Sequence, residues 1–145
     1  MKVVVQRVKH TSLSVNGQLI SEIPFGLAVY LGVKVGDTDD MPAQMAKKIA
    51  AMRIFEDENG KMNLSVRDVG GEILLISQFT LYGDCSHGNR PGFTMAERPE
   101  HADMLYERTA EELRMLGVTV KTGVFGADMK IEQYNDGPVT IIYEI

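Results

Sequence analysis

The chain has 145 residues, 44% of them hydrophobic, with 20 acidic against 15 basic side chains and a formal net charge of −5. Such a length is one ordinary domain, residues 1–145, with enough apolar material to bury a core. The acidity excludes a broad electrostatic grip on a nucleic-acid backbone and leaves room for a small contact with the end of an RNA. No run approaches the roughly 18 apolar residues of a membrane helix, and the opening run breaks at Gln6 and Arg7 with no cleavage-like segment behind it. The single cysteine, Cys85, excludes an internal disulfide and suits a reducing cytoplasm.

Taken in chain order, Lys2 to Val8 and Leu13 to Val15 carry the β-branched residues of strands, and Asn16-Gly17 is a hairpin turn signal. Ile23 to Val33 is predicted to continue as strand. Between Asp39 and Arg53 the spacing changes, with Met45, Ile49 and Met52 at i, i+4 and i+7, which predicts a helix packed by one face. After the Asn59-Gly60 turn and Gly70-Gly71, the run from Glu72 to Phe79 is apolar enough for a buried central strand. Tyr82 to Arg98 has neither period and is a candidate lid or rim. Pro99 opens a second helix whose buried stripe is Ala102, Leu105, Thr109, Leu113 and Leu116, stopped by Gly117. Val118 to Lys121, Met129 to Tyr134 and Val139 to Ile145 return to strand. The expected class is α+β, mainly antiparallel sheets in a barrel-like arrangement with two outer helices.

Common chemical signatures are missing: no P-loop, no dinucleotide-binding glycine motif, no G-x-S-x-G elbow and no H-E-x-x-H. His10, His87 and His101 lack metal-ligand spacing, so the expectation is no metal, no cofactor, and histidines that are surface residues or local hydrogen-bonders. Cys85 with His87 two residues on is a possible thiol and base, though catalytic pairs are normally assembled from distant parts of a fold.

Two stretches remain. In Ser77-Gln78-Phe79-Thr80-Leu81 a buried strand emerges into a loop, where backbone N–H groups lose their ladder partners and can face a ligand as an oxyanion hole requires; the same residues also read as a plain strand end with locally capping hydroxyls. Asn135-Asp136-Gly137-Pro138-Val139-Thr140 places a Gly-Pro bond ahead of the last apolar run. Its plain reading is an Asp136-Gly137 hairpin turn with Pro138 opening the next strand.

Together, SQFTL and NDGPVT resemble the D-aminoacyl-tRNA deacylase (D-tyrosyl-tRNA deacylase) family. The similarity extends in family order through QRV at Gln6 to Val8, LGV at Leu31 to Val33, RIFED at Arg53 to Asp57, GKMNLSV at Gly60 to Val66, GNRPGF at Gly88 to Phe93 and FGADM at Phe125 to Met129. It implies a hydrolase that cuts the ester joining a D-amino acid, or glycine, to the terminal adenosine of tRNA while sparing L-aminoacyl-tRNA. It also implies a homodimer in which a cis Gly137-Pro138 motif inserts into the partner's pocket and turns its carbonyl oxygens on the substrate. Rejection of the wrong hand by a backbone surface fits the physics, because both enantiomers offer the same attractive groups, and Gly137 has no Cβ to prevent close approach. Glycine, with no side chain to clash, is then expected to be cleaved too.

By the same resemblance Ser77, Gln78, Phe79 and Thr80 form the catalytic stretch, with the N–H groups of Phe79 and Thr80 at the developing oxyanion. Arg7 braces the Gly-Pro loop, and Phe125 and Met129 flank the terminal adenine. No matched residue is an evident base for Thr80, so direct attack by water, assisted by the adenosine 2′-OH, is expected. The chain departs from the family in its long loop: Cys85 stands where Thr is frequent, His87 where Lys or Arg is usual, and Gly92 where Ser is frequent. His87 removes a fixed positive charge from a loop expected to meet tRNA. The rival classes are a related deacylase that clears L-alanyl-tRNA, a Cys85-dependent small-molecule hydrolase, and a dimeric module that binds the acceptor end without catalysis.

Overall fold

Valine recurs at positions 3, 4, 5, 8 and 15, with Thr11 between, and in the computed structural model, which describes residues 1–145, this stretch forms one long strand, β1 (Lys2–Val15). It is followed by β2 (Gln18–Ile23), β3 (Gly26–Gly32), helix α1 (Met41–Ala51), β4 (Phe55–Glu56), β5 (Met62–Leu64) and β6 (Glu72–Ser77). A 3₁₀ turn (Phe79–Tyr82), helix α2 (Pro99–Met115), β7 (Val120–Thr122) and β8 (Met129–Glu144) complete the chain. β1 pairs antiparallel with β8 along its whole length, and its other edge is shared by β3 and β2. β3, β6 and β7 then run parallel. Parallel neighbours need a crossover, and α1 and α2 lie in the two connections that supply it.

The two ends of the strand path meet. Ser21 Oγ donates to the Thr122 carbonyl at 2.6 Å, and Lys121 Nζ donates to the Glu22 carbonyl at 2.7 Å, which curls the sheet into a nearly closed barrel. Two apolar cores result. Val3, Val5, Leu27, Val29, Ile73 and Leu75 pack under Met45 and Ile49 of α1 and Leu105, Tyr106 and Leu113 of α2, whereas Val8, Leu13, Ile23, Ala28, Leu74 and Ile76 fill the barrel. β6 therefore buries both faces, as its unbroken apolar run predicts. On β1 the inward side moves from the even Val8 to the odd Thr11 and Leu13, because the register with β8 slips between Val8 and His10 and one extra residue flips the alternation.

Two expectations change. Ile23 to Val33 is not one strand: it breaks at Pro24 and Phe25, and β3 restarts at Gly26, where φ is +141° and a Cβ would lie 1.9 Å from the Glu72 carbonyl oxygen. Beyond Tyr82, which closes the 3₁₀ turn, the segment up to Arg98 has no helix or strand, as its lack of a period predicts, and it is pinned by bridges between Asp84 and Gly92 and between Lys34 and Ala96. The Asp136-Gly137 hairpin is absent. β8 runs on in one direction, and Asp136, Gly137, Pro138 and Val139 together stand opposite the single residue Arg7, since Val8 pairs with Asn135 and Gln6 with Thr140. No helix is long and apolar enough to cross a membrane.

Candidate active site

Parallel strands tend to place ligands at their carboxyl ends, and a recess of about 680 Å³ opens there, beyond the ends of β3 and β6. Its floor is Leu31, Val33, Ile76 and Ile131, one wall is Phe93 with Ala96 to Pro99 and the start of α2, and the other is Phe125 to Ala127 with Met129. The size and the mainly apolar lining suit one small organic group such as a nucleoside.

At its edge β6 ends on Ser77, and the Gln78 N–H donates to the Leu31 carbonyl at 2.8 Å, the last ladder bond. The chain then tightens into the 3₁₀ turn: the Leu81 N–H reaches Gln78 O at 3.3 Å, and the Gly83 N–H reaches Thr80 O at 3.0 Å. A 3₁₀ turn leaves its leading N–H groups without an acceptor inside the turn, and here these belong to Phe79 and Thr80. The Phe79 ring, 57% exposed, meets Phe93 edge-on at 5.0 Å between centroids. The Thr80 hydroxyl accepts from the Gln78 amide, and no titratable side chain hydrogen-bonds to it. Thr80 thus has no base to activate it.

Glu97 is the single carboxylate lining the recess. Its pKa is held below the ordinary range, first by the Arg98 N–H, which donates to Oε1 at 2.7 Å, and also by His101. His101 is shifted the opposite way by Glu97, at 3.4 Å, and then Asp39, at 3.5 Å. Behind them Tyr106 donates its hydroxyl to the Leu75 carbonyl at 2.8 Å, and burial pushes its pKa up.

Arg7 lies elsewhere, on the barrel wall, and is only 6% exposed. Nη1 donates to the Ile54 carbonyl at 2.8 Å and Nε to the Asp136 carbonyl at 3.3 Å, with the Asp136 carboxylate 3.2 Å from Nε. The bulged segment is thereby tied to β1 at its first residue. Gly137 follows with φ +124°, a Cβ there would come within 2.9 Å of Val139 and 3.4 Å of Arg7 Nη2, and the Gly137-Pro138 bond is cis.

The expected site residues thus form two groups. Ser77, Gln78, Phe79, Phe125 and Met129 converge on the recess, with Thr80 the next residue of its turn. Arg7, Gly137 and Pro138 do not line it: the first residues of β8, Met129 and Ile131, reach the recess, whereas Gly137 and Pro138 lie further along the same strand, opposite Arg7. Sequence reasoning missed Glu97 and Tyr106; Tyr106 sits beside Leu105 in the helical stripe and was the more accessible of the two. Cys85 is exposed and lies outside the recess.

Comparison with known proteins bears on the same residues. The family model described as D-Tyr-tRNA(Tyr) deacylase matches residues 4–144. Proteins named D-aminoacyl-tRNA deacylase are 56% identical in Geobacillus sp. (strain WCH70), covering 99% of this chain and 95% of that protein, and 53% identical in Bacillus cytotoxicus, covering 99% of each. A solved structure titled c-Myc DNA Unwinding Element Binding Protein superposes with a TM-score of 0.92 at 44% identity over 100% of this chain and 99% of that one. Another, titled as a probable eukaryotic D-amino acid tRNA deacylase, gives 0.86 at 19% identity over 99% of this chain and 98% of that one, and shares the fold. With both motif stretches inside the matched span and identity above half along nearly the whole length, the chain belongs to the D-aminoacyl-tRNA deacylase family.

Proposed function

We propose that this chain hydrolyses the ester between a D-amino acid, or glycine, and the terminal adenosine of tRNA, in the cytoplasm, as a proofreading step that leaves L-aminoacyl-tRNA intact. The observation that carries this is the pair of leading N–H groups, Phe79 and Thr80, at the edge of a nucleoside-sized recess in a chain of this family. The adenine lies between Phe125 and Met129, which places the ester carbonyl toward the 3₁₀ turn. Water adds to that carbonyl, its proton passing to the neighbouring ribose hydroxyl as that hydroxyl releases its own proton toward the ester's ribose oxygen, and the oxygen that gains negative charge is held by the two N–H groups. The bond from carbonyl carbon to ribose oxygen then breaks, that oxygen takes a proton, and free amino acid and tRNA depart. Thr80 Oγ and Cys85 take no part, which fits the absence of a base at one and the distance of the other from the recess.

The selector is the Gly137-Pro138 backbone of a second copy of the chain. Two features support this: within one chain the motif does not line the recess, and β8, which carries it, exposes Tyr134 (66%) and Ile142 (69%) beside an unpaired edge. The family relative whose title names DNA binding suggests a second partner, but a charge of −5 opposes a grip on duplex backbone.

The test is release of amino acid from matched D-, L- and glycyl-tRNA by wild type, Gly137→Ala and Cys85→Ser. Expected are loss of the D and glycyl esters, survival of the L ester, no effect of Cys85→Ser, and a fall of about 10²-fold for Gly137→Ala, the cost of misplacing a reacting group by an ångström. Release of L-alanine instead would point to the related deacylase class, loss in Cys85→Ser to a thiol hydrolase, and binding without release to a non-catalytic module.

A further inference from the structure

One carbonyl joins three elements beneath the recess. Leu75 O, near the end of β6, accepts the Gly123 N–H at 3.0 Å and the Tyr106 hydroxyl at 2.8 Å, which uses both of its lone pairs. Tyr106 lines the recess and packs its ring 6.1 Å from Phe125, and Gly123, the first residue after β7, opens the loop that carries Phe125 and leads to Met129 at the head of β8. At Gly123 the space is already taken: a Cβ would lie 2.6 Å from Met129 Sδ and 3.0 Å from Leu13 Cδ1. Leu13 is fully buried in the barrel core, whereas Met129 is only half-buried and has an unbranched, flexible side chain. A methyl group there would therefore displace Met129, toward the recess it lines.

We propose that Gly123 is a positioning residue for the nucleoside site: its missing side chain seats Met129, and its N–H shares the Leu75 carbonyl with Tyr106, so both walls of the recess are set from one point. This rests on the recess receiving the terminal adenosine. It concerns the binding half of the reaction, so its signature is a change in affinity with the chemical step preserved.

The experiment titrates adenosine 5′-monophosphate into the full-length wild type, Gly123→Ala, Met129→Ala and the double variant, and follows the unfolding midpoint of each and, in the two that keep Met129, its methyl resonance. Gly123→Ala is expected to move the Met129 resonance and weaken binding on the order of tenfold, comparable with loss of one stacking contact. It should raise KM for D-aminoacyl-tRNA with kcat nearly unchanged. Because the added methyl acts through Met129, the double variant should bind no more weakly than Met129→Ala alone. Tyr106→Phe, which keeps the ring and removes one donor, should weaken binding a few-fold and supplies the same readout if Gly123→Ala folds poorly. Additive losses, or a lower unfolding midpoint with unchanged affinity in every folded variant, would overturn the inference. If wild type binds the nucleotide and both Gly123→Ala and Tyr106→Phe bind it equally well, only this inference falls; if wild type binds none, the adenosine assignment falls with it.

Discussion

The recess at the end of β6 and the Gly-Pro bulge on β8 are built on opposite plans. Around the recess, side chains make a concave apolar surface and the polar groups offered are backbone N–H donors at a turn. At the bulge, four residues leave the ladder opposite one, and a nearly buried arginine fastens the start of the excursion to β1. One region can hold a flat ring and developing negative charge; the other presents main chain at a place where no Cβ intervenes. On the proposed function, both put the chemistry and its selection in backbone atoms. A chemistry carried this way leaves no triad, no metal cluster and no perturbed nucleophile to find, and substitutions that change backbone donors or approach should matter more than those that change side-chain chemistry.

The sharpest way to break the recess alone is Phe79→Pro set against Phe79→Ala. Gln78 precedes it with φ −147° and ψ 81°, outside the helical region that a following proline disfavours, and the first position of a turn tolerates proline. Both substitutions lose the ring, but only proline loses the N–H, so kcat of Phe79→Pro should fall about 10²–10³-fold below that of Phe79→Ala. Equal rates would remove the oxyanion assignment.

Mixing that variant with Gly137→Ala tests whether the two regions meet between copies. In a dimer with sites shared across subunits, a mixed pair has one site with both defects and one with neither. Re-equilibrated equal mixtures should then recover about a quarter of wild-type activity from two inactive stocks. No recovery after exchange has been demonstrated would place the motif and the turn in separate functions.

Arg7→Met breaks the bulge alone. It strips the Ile54 carbonyl of its donor and the Asp136 segment of its anchor, at a cost of about 2–3 kcal/mol in stability by denaturant melt. Cleavage of L-aminoacyl-tRNA should rise relative to the D ester in whatever folds. A variant as stable and as selective as wild type would show that the loop needs no brace.

The smallest effect concerns the wall of the recess. Hydrogen bonds to Glu97 and Asp39 raise the His101 pKa above its ordinary 6.5, so the stability from that contact is complete below pH 6.5 and is lost as pH rises through the folded-state value. The Glu97 pKa is depressed below 4.5, chiefly by the Arg98 N–H, so its contribution is complete above pH 4.5 and is lost as pH falls through the folded-state value. His101→Asn should flatten the slope of the unfolding midpoint from pH 6.5 upward and weaken the acid limb only in part, since the Arg98 N–H still holds Glu97; these groups are solvent-screened, so the change is slight.

Sequence by itself determined the two helices, the doubly buried run of β6, the turn at Asn16-Gly17 and, through the two motif stretches, the family. These depend on near neighbours: a helical stripe repeats every three to four residues, a buried strand is apolar on both sides, and a turn dipeptide carries its own backbone preference. The motif from Asp136 to Val139 had two local readings, a hairpin and a functional excursion, and only pairing with β1 on both sides excluded the hairpin. Tyr106 and Glu97 enter the recess because α2 and the segment before it pack across the ends of β3 and β6, a relation between distant segments that no local period encodes. The change of inward face along β1 and the separation of Arg7 and Gly137 from Phe79 were likewise decided by the tertiary structure, since strand register, sheet closure and crossover are fixed by contacts between residues far apart in the chain.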